Sequence, residues 1–107
     1  MIILYNNTMV NTDLVGKIEI IDESEIWRVG KDAPETFSCI RFHMINKIKT
    51  LLDGPVPMIV DICSVPKSNK NRKVLEKVIR DIFNAFSTDC KTFDANISLN
   101  DNMEVIR

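Results

Sequence analysis

Glycine is scarce in this chain, three residues in 107, and none falls in "SVPKSNKNR" (64–72). A glycine-rich turn that wraps a nucleotide phosphate, as in a P-loop or dinucleotide fold, is therefore excluded there. Histidine is scarcer still. His43 accompanies only Cys39, Cys63 and Cys90, which are widely spaced and form no C-x-x-C pair, so the ligand spacing of structural zinc is missing. No apolar run approaches a membrane span, and "MIILYNN" is too short for the apolar region of a secretory signal. Neither sign of charge dominates, since 14 Lys and Arg against 15 Asp and Glu leave a net charge of −1. That excludes a whole-chain basic field for nucleic acid. The expectation is a cytoplasmic protein with buried free thiols, no metal, no cofactor and no membrane insertion.

What is present describes one folded domain over residues 1–107. Apolar residues make up 45% of the chain and charged residues 27%, enough for a single core. Residues 1–16 read as an edge strand, "IILY", and an irregular link, "NNTMVNTD". A strand from Lys17 to Asp22 follows, then a turn at "DESE" and a return run, "IWRVGK", with Trp27 and Val29 facing the core. Asp32 and Glu35 have capping-box spacing, and Pro34 suits a first helical turn. Phe37, Ile40, Met44, Ile48 and Leu51 recur at helical spacing, widened by Ile45 and Leu52, and Gly54-Pro55 after Asp53 closes the segment. These signals predict a helix of about five turns.

"VPMIVDIC" is a continuous apolar run broken only by Asp61, the composition of an interior parallel strand reached by a βαβ crossover. From Ser68 to Ser87, Val74, Leu75, Val78, Ile79, Ile82, Phe83 and Phe86 form the apolar face of a second helix. "KTFDANISL" predicts a last strand, and "NDNMEVIR" the first turns of a further helix. The fold class is α/β, in the order βββαβαβ plus a truncated C-terminal helix.

That order, carried by "GKIEIIDESEIWRVGKDAPETFSCIRFHMINKIKTLLDGPVPMIVDICSV" and by "ISLNDNMEVI", resembles the STAS domain. This is the fold of bacterial anti-sigma-factor antagonists and of cytoplasmic domains of sulfate transporters. The likeness runs from Lys17 to Arg107. It implies a mixed sheet of three to five strands with helices packed on it, and regulation by protein contact. In the family's antagonists the strand is followed by Asp-Ser-Ser-Gly, whose serine a partner kinase phosphorylates. Asn69, Lys70, Asn71 and Arg72 stand at that turn here, with Ser68 one residue before it, so the phosphorylation switch does not carry over.

Between Lys67 and Arg80 six basic residues (Lys67, Lys70, Arg72, Lys73, Lys77, Arg80) oppose one acid, Glu76. Lys70, Lys73, Lys77 and Arg80 fall at spacings of three and four and line one side of the second helix. Such a stripe is either a solvated face or a site for an anion or an acidic partner. Ligands of open parallel sheets sit at strand C-terminal ends, which adds Ser64, Lys67 and Ser68. The candidate partner- or ligand-binding set is therefore Ser64, Lys67, Ser68, Lys70, Arg72, Lys73 and Lys77.

No catalytic constellation accompanies this set. Asp61 lacks a second acid–base group nearby in sequence, His43 falls off the apolar stripe and reads as a surface residue, and Cys63 reads as a core thiol. Aromatic residues do not interleave with the basic stripe, which argues against nucleic acid. The acidic stretch "EIIDESEIWRVGKDAPE" facing a basic helix suggests association between copies or with a complementary protein. The expectation is a non-enzymatic regulatory or scaffold domain that binds another protein, with a small-anion site at the start of the second helix as the alternative.

Overall fold

Asn6 and Asn7 form a two-residue turn, with Asn6 at φ 50°, a left-handed conformation that asparagine tolerates. The turn folds β1 (Ile2–Tyr5) against β2 (Thr8–Asn11) as an antiparallel hairpin with Tyr5 opposite Thr8. Half of the expected irregular link is thus a strand. The computed structural model describes residues 1–26, 30, 35–50 and 54–106, apart from the side chains of 23–26, 46–50, 54–57 and 105–106. Among these residues the fold is a mixed α/β arrangement of two three-stranded sheets and two helices, as the α/β class expected from sequence requires.

The first sheet has the order β2-β1-β6, with β6 (Thr92–Asp94) parallel to β1. β1 is therefore its central strand, not an edge strand. A 3-10 turn at Thr12–Leu14 leads into the second sheet, an antiparallel meander of β3 (Val15–Ile26), β4 (Glu35–Thr50) and β5 (Gly54–Pro66) in that order. β3 runs through the residues read as a turn at "DESE" and ends at Ile26. Trp27, Val29, Asp32 and Pro34, read as core or capping residues, lie outside the described residues, as do Leu51, Leu52 and Asp53.

The helix expected over 35–50 is a strand, and the reason lies in its spacing. Ile40, Met44 and Ile48 are four apart, which places residues on one face of a helix but equally on one face of a strand. Ile40 and Phe42 alternate with Arg41 and His43 in the strand, the first pair fully buried and the second only partly. Ladders to β3 on one side and β5 on the other decide the outcome, because β4 supplies a hydrogen-bonding edge to both neighbours. β5 is correspondingly antiparallel to β4 and lies at the end of the sheet, where an interior parallel strand had been expected.

α1 (Asn69–Ser87) and α2 (Ala95–Ile106) pack together on the inner face of the sheets. The α1 boundaries match those expected, and Val74, Leu75, Val78 and Ile82 are buried. Leu75, Val78 and Ile82 join Ile3, Val10, Ile40, Phe42, Ile62, Val65 and Ala95 in one core spanning both sheets. Each such aliphatic side chain contributes about 1.5–3 kcal/mol on burial. The residues Ala95 to Leu99, read as strand, are helical instead. Asp94 Oδ1 accepts from Asn96 N at 2.9 Å and Ile97 N at 3.2 Å, so an aspartate cap starts α2 there. The C-terminal segment is accordingly a 12-residue helix, not a stub.

Candidate functional site

β5 delivers the chain to α1 through a distorted end. The β4–β5 register shifts between Ser38 and Ile40, so Cys63 and Ser64 both stand opposite Cys39 in a β-bulge. Cys63 occupies φ 56°, a strained value for a residue with a side chain. Burial, and then the neighbouring Cys63, raise the Tyr5 pKa at the end of β1. Burial also pushes the Cys63 thiol up to about 12, with the neighbouring Cys39 adding to the effect. Cys39 and Cys63 are buried free thiols, as expected. Cys90 is free but exposed, because it follows the end of α1 in an open turn.

Beyond the bulge the turn is fastened on several sides. Lys67 N donates to Thr36 O at 2.9 Å, and Asn71 Nδ2 to Pro66 O at 2.7 Å. Ser68 is the N-cap of α1, its Oγ accepting from Asn71 N at 3.0 Å. This hydroxyl completes a helix end, a structural use of a residue placed in the candidate site. Lys67 Nζ and Arg72 Nη1 lie 3.9 and 3.8 Å from Asp22 Oδ2, and the Ser38 hydroxyl donates to the other oxygen of the same carboxylate. Asp22 thus neutralises part of the basic set within one chain, the attraction that the sequence had suggested between copies.

The remaining cations are arranged differently. Lys70, Lys73 and Arg80 are exposed and Lys77 is half-buried along the outer side of α1. Among the described residues none of the four has an ion-pair partner, and the acid on the same face, Glu76, lies 3.8 Å from Arg72. The candidate set therefore divides in two. Ser64, Lys67, Ser68 and Arg72 belong to the fastened turn, whereas Lys70, Lys73 and Lys77, continued by Arg80, form the open basic face.

Residues considered for chemistry are engaged elsewhere. Arg41 Nε and Nη2 grip the two Asp61 oxygens at 2.8 and 2.9 Å. His43 Nε2 is 3.0 Å from Glu19 Oε2, to which Lys17 Nζ also comes within 2.8 Å, so His43 is a half-buried partner in a cross-strand cluster. The Lys17 contact, then His43, hold the Glu19 carboxyl below its ordinary range.

Sequence reasoning also missed an apolar cleft. Phe83 and Phe86, assigned to the buried face, are 55% and 59% exposed and wall a cavity of about 170 Å³ with Met1, Val15, Ile18 and Ile82. Their helical positions gave the signal, since both lie at the rim of a stripe centred on Val74, Val78 and Ile82.

Comparison with protein-family models, curated proteins and solved structures found no match. Among the described residues no helix is long and apolar enough to cross a membrane. The fold and its surface define a small mixed α/β domain that presents one basic helix face.

Proposed function

We propose that this chain is a non-enzymatic regulatory or scaffold domain of the cytoplasm that binds an acidic protein surface through the outer face of α1. One observation carries the reading. Lys70, Lys73, Lys77 and Arg80 lack charged partners among the described residues and stand together on one helix, whereas Lys17, Arg41, Lys67 and Arg72 are paired and Lys91, also without a charged partner among those residues, lies beyond the end of α1. Four like charges on one helix repel one another, and a complementary acidic surface relieves that repulsion and speeds encounter.

The non-enzymatic part is supported by the engagement of Asp61 with Arg41 and of His43 with Glu19, and by the thiol character of Cys63 at neutral pH. The STAS resemblance points the same way, toward regulation by contact. Its switch serine has no counterpart, and β4 stands where the family pattern implied a helix. The reading therefore rests on the α1 face.

Small-anion binding at the start of α1 is the weaker alternative, since Asp22 draws Lys67 and Arg72 and the Ser68 hydroxyl is taken as a cap. Thermal-shift measurements separate the two. An anion at a hundredfold over its Kd adds about 2.7 kcal/mol of stability. The docking account expects no shift from phosphate or nucleotides, and retention of protein partners that depends on Lys70, Lys73 and Lys77.

A further inference from the structure

Two helices lie side by side on this domain, and their outer faces carry opposite charge. α1 exposes Lys73 and Arg80 with Lys70 and Lys77 beside them. α2 exposes Ile97, Asp101 and Glu104, which fall at i, i+4 and i+7 on one stripe. Neither Asp101 nor Glu104 has a hydrogen-bond or ion-pair partner among the described residues, so both stripes are unpaired among them.

The relative levels of the stripes are fixed by contacts between the helices. Asp81 Oδ2 accepts from Ser98 Oγ at 2.8 Å and from Asn102 Nδ2 at 3.0 Å. Ala85, one turn further along α1, lines a groove with Asp94 and Ile97. The helices therefore run antiparallel, with Arg80 near the level of Asp101, Phe83 near that of Ile97, and Lys77 toward Glu104.

We infer that the outer face of this α1–α2 layer binds a second copy of the same chain about a two-fold axis parallel to the helices. Such an axis keeps every level unchanged and exchanges the two helices. Arg80 of one copy then meets Asp101 of the other, and Lys77 meets Glu104. Each contact occurs twice, as an isologous interface requires. Glu76, the acid on the α1 face, does not oppose this pairing because Arg72 holds it at 3.8 Å. A two-fold axis perpendicular to the helices would place lysine against lysine, so charge selects the first arrangement.

The footprint sets the expected affinity. The 19 residues of α1 span about 28 Å at 1.5 Å per residue, and two adjacent helices are roughly 20 Å across. That area falls short of the approximately 800 Å² per partner of a standard stable interface. A reversible, salt-sensitive dimer follows, not a permanent one.

The inference deepens the proposed reading of α1 and rests on it. Sedimentation equilibrium of the full chain from about 1 to about 300 µM covers the range in which a footprint of this size associates. The wild type is expected to reach twice the chain mass and to dissociate as salt rises from about 0.15 to 1 M, where the screening length falls from about 8 to 3 Å. Arg80→Glu should weaken association at least tenfold, as should Asp101→Arg, and the double variant should restore it, with circular dichroism confirming the fold of all three. A wild type that stays monomeric throughout, a dimer indifferent to Arg80→Glu, or a folded double variant without rescue each overturns the inference. A monomeric wild type whose protein partners are still lost on reversal of Lys70, Lys73 and Lys77 removes self-association alone and leaves the docking face in place.

Discussion

Arg41 and Asp61 are direct partners in the β4–β5 register and meet as a two-bond fork, Nε to Oδ1 at 2.8 Å and Nη2 to Oδ2 at 2.9 Å. The Arg41 side chain is only 15% exposed, and it fixes the alignment of a strand whose local spacing is equally compatible with a helix. A shift by one residue in β5 would carry Asp61 to the opposite face and place Ile62 outside the core.

Asp61→Ala should lower stability by about 1 kcal/mol, the upper end for a solvent-screened ion pair of good two-bond geometry. A double-mutant cycle with Arg41→Ala, read by urea denaturation, is expected to return a favourable coupling energy. Additive single effects would show that the fork does not hold the register.

Ser68 offers a test that separates structure from binding. Ser68→Ala removes the α1 N-cap and should cost about 1 kcal/mol, whereas Ser68→Asp retains a capping oxygen and most of the stability. Partner binding normalised to folded protein should be unchanged in both. A large loss of binding with Ser68→Ala at full stability would return Ser68 to the contact surface.

Cys63 predicts an alkaline limit. Its pKa is raised on folding from the ordinary 9.0 to about 12, so the folded state keeps the thiol protonated while the unfolded chain ionises. The stabilisation is complete below pH 9.0 and is lost as pH rises toward 12, up to about 4 kcal/mol across those units. Tyr5 shifts in the same direction, so Cys63→Ala isolates the cysteine contribution. Urea midpoints of the variant should fall less steeply above about pH 9 than those of the wild type. A parallel decline in both would contradict the assignment. At neutral pH a thiol reagent should titrate Cys90 rapidly in the native protein, and Cys39 and Cys63 only after denaturation.

Glu19 sets an acid limit of opposite sign. Its pKa is lowered by Lys17 and then by His43, so its contribution is present above the ordinary 4.5 and is lost as pH falls through the lower folded value. Glu19→Gln should flatten the acid limb of a thermal-stability profile below pH 4.5, and an unchanged limb would assign acid unfolding elsewhere.

The parts of this fold that were legible in sequence are those fixed locally. α1 could be read because Val74, Leu75, Val78 and Ile82 fall on one helical face while Lys70, Lys73, Lys77 and Arg80 fall on the other. β4 could not, because the intervals of four from Ile40 to Met44 and Ile48 fit both periods and the deciding ladders come from β3 and β5. Asp94 was read as a strand residue because its role as a cap depends on where β6 ends after pairing with β1. The basic face was visible as a spacing of lysines. Its division was not, since Asp22 reaches Lys67 and Arg72 only once β3 lies beside the start of α1.

The claim that α1 presents a protein-docking face is tested most directly by quantitative affinity capture from the cell of origin, comparing the wild type with Lys70→Glu/Lys73→Glu/Lys77→Glu. Circular dichroism should show that the variant is folded, since these side chains are not part of the apolar core. The account predicts that partners retained by the wild type in a salt-dependent manner are depleted at least tenfold on the folded variant. The same partners retained in equal amounts by both proteins would contradict it.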